Sequence, residues 1–382
     1  MPQSLRLFIL AGEPSGDRIA ADLVARLRER VDVTLAGVGG DELIGQGLVS
    51  LFPMSDLAVM GVTDVVLNLP RLLWRLEQAA RHILAFRPDV VVLVDAQDFS
   101  KLLAARLRKR GYTGTLILYV APSVWARNPE RAAKLKPIFD AVLAVLPFEP
   151  EVMARLEGPP TFYVGHPALG ERLQTAAAPE SGPIVILPGS REGELRRHLP
   201  ILRDMAEALS RIDGATHLAL PTLPRLRSRL EREVATWPVP VSIIDRRADR
   251  HALYADALGA VCVSGTVTLE LALARVPMLV LYALDNHQAK IFKTLGRPQV
   301  SLPNIILDRR VVPEFVATPL VAGEVLPAAL ALLGNKNARQ AQVDAFGELS
   351  DMMEAGRPPF GRQDPAERVL EIWGRQRPLI GS

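Results

Sequence analysis

The sequence predicts an α/β protein built from two Rossmann-like, doubly wound domains facing across a cleft, with a C-terminal helical tail. Two observations predict this class. Short unbroken apolar runs recur along the chain, each followed by a helix-length amphipathic segment, which is the rhythm of parallel strands covered on both faces. The rhythm also starts twice, on either side of a stretch of linker composition, in a chain of 382 residues that exceeds one ordinary domain. The expected layout is a first domain over residues 1–172, a linker over 173–182, a second domain over 183–355 and a tail over 356–382 that packs back on the first domain or on a partner subunit.

Composition narrows the function classes. Apolar residues make up 49% of the chain, enough for two sizeable cores. The net charge is only +3 and the basic residues are scattered, which argues against a nucleic-acid binder. The single Cys262 rules out an intrachain disulfide and a Cys-based metal cluster, and its neighbours Val261 and Val263 read as a buried strand. No apolar run approaches the roughly 20 residues of a membrane span, and the first residues lack the order of a signal peptide. A cytosolic protein, at most peripheral to a membrane, is expected.

Taken in order, Leu5 to Ala11 reads as the first strand, followed by Gly12-Glu13-Pro14-Ser15-Gly16-Asp17 and a helix from about Arg18. The glycines do not fit G-x-G-x-x-G, so no dinucleotide fingerprint is present. Val33 to Ala36 is the second strand. Leu69 to Phe86 is a helix whose Leu69, Leu72, Leu73, Leu76, Ala80, Ile83 and Leu84 are spaced to face the core. Trp74 falls on the other side with Arg71 and Arg81, which suits either a membrane interface or a covering neighbour. Asp89 to Asp95 is a buried strand that ends in Asp95-Ala96-Gln97-Asp98. Ligands of open α/β sheets sit outside the carboxyl ends of strands, so Asp95 and Asp98 are candidate general bases, one of which could instead cap the next helix. Thr115 to Val120 leads into Pro122-Ser123-Val124-Trp125, and Asp140 to Leu146 into Pro147-Phe148-Glu149; Phe162-Tyr163-Val164 closes the first half.

The second half opens on Ile184-Val185-Ile186-Leu187, a strand stopped by Pro188-Gly189 and followed by Ser190-Arg191 and a helix. Free backbone N–H groups, a helix dipole and an Arg fork at such a turn suit an anion, above all a diphosphate. His217–Leu220, Val241–Ile244, Ala260–Val263 and Met278–Leu281 are the later strands. After Val263, Ser264-Gly265-Thr266 begins another helix with Glu270 one turn in, a pattern for a phosphate and for both hydroxyls of a ribose. Asn304, in Ser301-Leu302-Pro303-Asn304, offers donors and acceptors for a base, sugar or phosphate. The tail carries a helical core over Pro365 to Trp373.

Nine ordered motifs then carry a resemblance: Ala11-Gly12-Glu13-Pro14-Ser15-Gly16-Asp17, Leu57-Ala58-Val59-Met60-Gly61, Val94-Asp95-Ala96-Gln97-Asp98-Phe99, Pro122-Ser123-Val124-Trp125-Ala126, Leu146-Pro147-Phe148-Glu149, Gly165-His166-Pro167, Leu187-Pro188-Gly189-Ser190-Arg191, Ser264-Gly265-Thr266 and Ser301-Leu302-Pro303-Asn304. In this order the chain resembles the lipid-A-disaccharide synthases over nearly its whole length. The resemblance implies a two-Rossmann, GT-B glycosyltransferase that moves 2,3-diacylglucosamine from UDP-2,3-diacylglucosamine to 2,3-diacylglucosamine 1-phosphate (lipid X) at the cytoplasmic face of the inner membrane. It departs from the family pattern at Arg127-Asn128-Pro129 and at Asp285-Asn286-His287, both of which bear on the acceptor side.

Together these readings assign Asp98 and Asp95 as catalytic carboxylates and Arg191, Ser190, Gly189, Ser264, Gly265, Thr266, Glu270 and Asn304 as UDP-sugar contacts. Glu13, Ser15, Ser123 and Trp125 are assigned to the acceptor side, and Trp74, Arg71 and Arg81 to the membrane. No Asp-x-Asp pair is present, so fixed cationic and backbone donors are expected where other transferases use a metal, and no cofactor is expected. A homodimer is compatible with the tail. A transferase with another lipid acceptor, a UDP-sugar epimerase and a non-catalytic nucleotide-sugar-binding protein are the competing readings.

Overall fold

A computed structural model describes residues 4–57, 62–172 and 177–376. Ala58-Val59-Met60-Gly61 of the second motif, residues 173–176 of the expected linker and residues 377–382 of the tail lie outside the described residues. The chain divides into two compact units, Met1–His166 with Ala355–Ser382, and Pro167–Glu354. The change of unit therefore falls ahead of residues 173–182, next to His166.

In the first unit the strands are β1 (Ser4–Ala11), β2 (Asp32–Val38), β3 (Val90–Val94), β4 (Thr115–Tyr119), β5 (Ala141–Ala144) and β6 (Thr161–Tyr163). All pair in parallel in the order β2-β1-β3-β4-β5-β6. The apolar runs form strands because both faces are covered: β3 and β4 are buried at every residue. Helices Pro14–Arg28, Val62–Phe86 and Gln97–Lys109 supply the cover, and Phe8, Leu10, Leu76, Ile83, Val91, Leu93, Leu103 and Leu118 meet in one core.

The second unit repeats the plan with β7 (Gly182–Leu187), β8 (Ala215–Pro221), β9 (Val241–Ile244), β10 (Gly259–Cys262), β11 (Met278–Ala283) and β12 (Glu314–Ala317), in the order β12-β11-β10-β7-β8-β9. Helix Glu192–Ser210 buries Leu195, Leu199, Leu202, Met205 and Leu209 against Ile184, Ile186, Leu218 and Leu220. Cys262 is buried with its thiol against the Leu279 carbonyl oxygen, as a strand residue should be. The edge strand β12 escaped the sequence reading because it is half-buried throughout and lies between Pro313 and Pro319.

The tail returns to the first unit. Gln363 N–H donates to the Tyr163 carbonyl (2.9 Å), beside the end of β6. Asp364 caps helix Pro365–Gln376 by accepting from the Ala366 and Glu367 amides at 2.9 and 3.0 Å, and it also receives Arg26 at 3.1 Å. Trp373 is buried in this docking and the Arg368 guanidinium lies 4.4 Å over the Phe162 ring.

One helix departs from its predicted face. In Val62–Phe86 the buried stripe is Leu76, Ala79, Ala80 and Ile83, whereas Leu69 and Leu73, expected in the core, are 45% and 47% exposed. Helical spacing placed Leu76, Ala80 and Ile83 correctly, but the core ends short of Leu69 and Leu73.

Candidate active site

In both sheets the strand order reverses once, and open α/β sheets bind ligands at that reversal, outside the carboxyl ends of the strands. In the first sheet it falls between β1 and β3, and in the second between β7 and β10. Each reversal carries loops that the sequence singled out.

At the first, β1 runs into Gly12-Glu13 and β3 into Asp95-Ala96-Gln97-Asp98. These loops touch: a Cβ on Gly12 would lie 2.4 Å from the Ala96 Cβ, so glycine is required there by close approach. Asp95 and Ala96 both have positive φ (56° and 46°), and two successive left-handed residues turn the chain sharply into helix Gln97–Lys109. The Ser100 hydroxyl and the Tyr119 carbonyl pin that turn, the first donating to the Asp95 carbonyl (2.8 Å) and the second accepting from the Asp95 amide (3.0 Å). Asp95 is largely buried, and burial pushes its carboxyl above the usual range while the Ala96 N–H pulls the other way. Asp98 stands in the first helical turn with its side chain 86% exposed and its Oδ1 2.5 Å from Arg131 Nη2. Neither carboxylate is the cap, because the N-cap residue is Ala96. Glu13 is the half-buried N-cap residue of helix Pro14–Arg28, and Ser15 is exposed in its first turn. Asp17 of the same motif serves the fold: it accepts from the Gly40 and Glu42 amides at 2.8 and 2.9 Å.

The next strand edge brings in the loop after β4. Val120, a β-branched residue at φ 75°, is held by Gln97 Nε2 on its carbonyl (2.9 Å) and by the Leu143 carbonyl on its N–H (2.9 Å). Ser123 is exposed and Trp125 half-buried, its ring edge-on to Phe148 at 5.4 Å. His166, after β6, is partly buried; burial and nearby Arg18 hold its ring down to about 4, so it is neutral at pH 7.

In the second unit β7 and β10 are hydrogen-bonded neighbours, Leu187 opposite Cys262, which sets Pro188–Arg191 beside Ser264–Thr266. Gly189 has φ 101°, and a Cβ there would lie 2.5 Å from Glu194 Oε2. That carboxylate corrects one expectation. The Ser190 and Arg191 amides are not free for an anion, since Glu194 Oε2 accepts from both at 3.2 and 3.3 Å, and its Oε1 is 3.1 Å from Arg191 Nη1. The Arg191 side chain, 62% exposed, is a donor this loop keeps for a ligand. One turn on, fully buried His198 bridges the loop to the end of β11. Its Nδ1 lies 3.1 Å from the Pro188 carbonyl and its Nε2 accepts from the Ala283 amide at 3.0 Å. Only the neutral ring with its proton on Nδ1 satisfies both, and burial pushes the ring down to about 4, against a smaller opposite effect of the Pro188 carbonyl.

Gly265 and Thr266 are exposed at the start of helix Val267–Leu273, with open space where a Gly265 Cβ would point. The first amides of a helix lack partners within it, so this is where backbone donors remain available. Ser264 Oγ is engaged, donating to the Val300 carbonyl at 2.7 Å, and Glu270 is half-buried one turn in. Asn304 is a second correction. It is fully buried; its Nδ2 donates to Val312 O and Glu314 Oε1, and its Oδ1 accepts from the Val311 and Val312 amides, all at 2.8 Å. The side chain is saturated and has nothing left for a nucleotide. It locks the 300–314 segment, where Glu314 also receives the Ser301 amide and hydroxyl.

The residues that the sequence assigns to a membrane contact are exposed. Trp74 is 57% exposed beneath the Arg75 guanidinium (4.2 Å), on the same helix as the exposed Leu69 and Leu73. Arg71 Nη2 donates to Asn68 at 2.6 Å and Arg81 Nε to Glu77 at 2.7 Å, so Arg81 is already paired. Among the described residues no helix is long and apolar enough to cross a membrane.

Sequence reasoning missed Arg131, Glu194 and His198. The last two were legible in part: four apart on one helix, they share a face.

Two parallel, doubly wound sheets of six strands, each with candidate side chains at its reversal, define an α/β fold of the GT-B class. Among solved structures, the glycotransferase of kitacinnamycin superposes with a TM-score of 0.60 at 15% identity, covering 99% of this chain and 100% of that one. The Methanocaldococcus jannaschii UDP-GlcNAc 2-epimerase, in complex with UDP-GlcNAc and UDP, gives 0.58 at 13% identity, covering 98% and 100%. A family model described as lipid-A-disaccharide synthetase matches residues 7–357, and the lipid-A-disaccharide synthase of Rhodopseudomonas palustris (strain HaA2) is 39% identical over 379 residues, 96% of each chain. The chain belongs to the lipid-A-disaccharide synthase family, glycosyltransferases of lipid A biosynthesis.

Proposed function

We propose that this chain transfers 2,3-diacylglucosamine from UDP-2,3-diacylglucosamine to the 6-hydroxyl of 2,3-diacylglucosamine 1-phosphate, with inversion, at the cytoplasmic face of the inner membrane. The observation that carries the reading is that both reversals are equipped, one with carboxylates and the other with donors for an anion.

In a single displacement the acceptor oxygen bonds to the anomeric carbon as the bond from that carbon to the UDP oxygen breaks. The hydroxyl proton passes to Asp98, and the electron pair of the breaking bond leaves on the β-phosphate. Asp98 is the base because its carboxylate is open to an incoming alcohol and is aimed by Arg131, whereas Asp95 lies behind it on a strained turn. Such proton transfer contributes roughly 10²–10⁴-fold. Arg191 and the amides at Gly265 and Thr266 would receive the charge on the departing diphosphate, and Glu270 the ribose. Glu194 acts earlier, holding the Arg191 loop in shape. Glu13, Ser15, Ser123 and Trp125 would receive the acceptor. Leu69, Leu73, Trp74 and Arg71 would meet the lipid surface. The docked tail is the segment through which two copies would pair as a homodimer, a state light scattering reads directly.

The test is a mass-spectrometric assay of UDP-diacylglucosamine with and without the acceptor. Disaccharide is expected only with both; an altered sugar from the donor alone overturns transfer in favour of epimerisation. Asp98→Asn should lower kcat by at least about 10²-fold with UDP affinity kept.

A further inference from the structure

Glu149 has no part in the chemistry above, yet it is a nearly fully buried acid (3% exposed) at the carboxyl end of β5, one strand over from the loop that carries Ser123 and Trp125. Its Oε2 accepts from the Val145 and Leu146 amides at 3.2 and 3.0 Å, which closes the turn after β5. The indole N–H of Trp125 is buried with no hydrogen-bond partner among the described residues, and it is near enough to this carboxyl group to favour its charged form. The Trp125 ring also packs edge-on against the buried Phe148, and the Arg357 guanidinium lies 5.9 Å above the Phe148 ring. The loop is thus anchored at both ends. Its start is tied to β5 through the Val120 amide on the Leu143 carbonyl, and Trp125 rests on Phe148 and Glu149.

We propose that Glu149 is a positioning residue for the acceptor, acting through Trp125 by holding the indole over the Phe148-Glu149 corner so that the loop 121–127 presents a fixed surface to the sugar. This rests on the reading that Trp125 faces the acceptor. Burial pushes the Glu149 carboxyl up to about 8, with the Leu146 amide, the Trp125 indole and the Val145 amide opposing, so the group is mostly protonated at pH 7. A protonated carboxyl still accepts from the indole through its hydroxyl oxygen. A glutamine serves the two amides with its oxygen but turns an NH2 donor on the indole donor. Glu149→Gln therefore removes the Trp125 contact and spares the turn.

Steady-state kinetics with each substrate varied tests this. The expected result for Glu149→Gln is an acceptor KM raised about tenfold, with donor KM within twofold, and Trp125→Phe should raise acceptor KM as well. The double variant should equal Trp125→Phe alone, since Glu149 acts only through that ring. In a chain with Trp74, Trp237 and Trp373 replaced by Phe, Glu149→Gln should shift Trp125 emission and abolish its change on adding acceptor. An unaltered acceptor KM in Glu149→Gln with a raised one in Trp125→Phe overturns the role of Glu149 and leaves the acceptor reading standing. An unaltered KM in Trp125→Phe overturns the acceptor reading itself. Should Glu149→Gln not fold, Glu149→Asp, which keeps the carboxyl one methylene short, carries the same comparison and should show a smaller rise; a rise equal in donor and acceptor KM sinks the proposal.

Discussion

Two buried residues, His198 and Glu149, titrate far from their ordinary ranges and in opposite senses. His198 stays neutral in the fold down to about pH 4, while the unfolded ring takes up a proton below about 6.5. Its contribution is present above pH 6.5 and is lost as the pH falls toward 4, by on the order of 3 kcal/mol; His166 has the same sign. Glu149 keeps its proton in the fold up to about pH 8, whereas the unfolded group loses it near the ordinary carboxyl value. Its contribution is full below that value and is lost as the pH rises to 8. Between pH 6.5 and 8 His198 and His166 are past their range, while Glu149 still slopes downward. The wild-type Tm should decline over that window, and the decline should flatten in Glu149→Gln, where nothing titrates. A parallel decline in both proteins would show the slope to have another source.

At the scale of elements, the loop after β7 and the helix Val62–Phe86 carry the strongest expectations. Gly189 adopts φ 101° against the Glu194 carboxylate, so Gly189→Ala pays twice, for a left-handed alanine and for displacing Glu194. UDP affinity by calorimetry should fall several-fold, since the displaced loop carries Arg191; unchanged affinity would remove this loop from the donor site. On Val62–Phe86 one stretch exposes Leu69, Leu73 and Trp74, a candidate apolar patch, with the Arg75 guanidinium over the Trp74 ring. Replacing Leu69 and Leu73 with Ser should cut co-sedimentation with anionic vesicles while leaving turnover of detergent-dispersed substrate near normal. Equal sedimentation of both proteins, with no blue shift of Trp74 emission on lipid, removes the patch from membrane contact.

For the whole molecule, a ligand that binds only the folded chain raises Tm by mass action, about 2.7 kcal/mol at a hundredfold excess over Kd. UDP should therefore stabilise the protein. It should do so equally in EDTA, because Arg191 and the helix-start amides supply the positive field; loss of both the shift and turnover in EDTA, restored by Mg²⁺, would establish a metal. The parallel order of both sheets was legible in the chain, because strands covered on two faces must be apolar throughout and must be joined by crossover helices. The half-buried β12 was not, since a short strand half-exposed throughout and set between two prolines leaves no such signal.

By itself the sequence determined the family and the strands of both sheets except β12, and it singled out the loops at the two reversals, since apolar periodicity and turn residues are local properties. It did not determine which polar side chains in those loops stay free. Asn304 reads as a ligand contact until Val311, Val312 and Glu314 are folded around it, and the Ser190 and Arg191 amides read as an open cradle until Glu194 occupies it. Tertiary structure decided these because a buried polar group must find its partners wherever the chain brings them, and those partners are set by packing rather than by spacing.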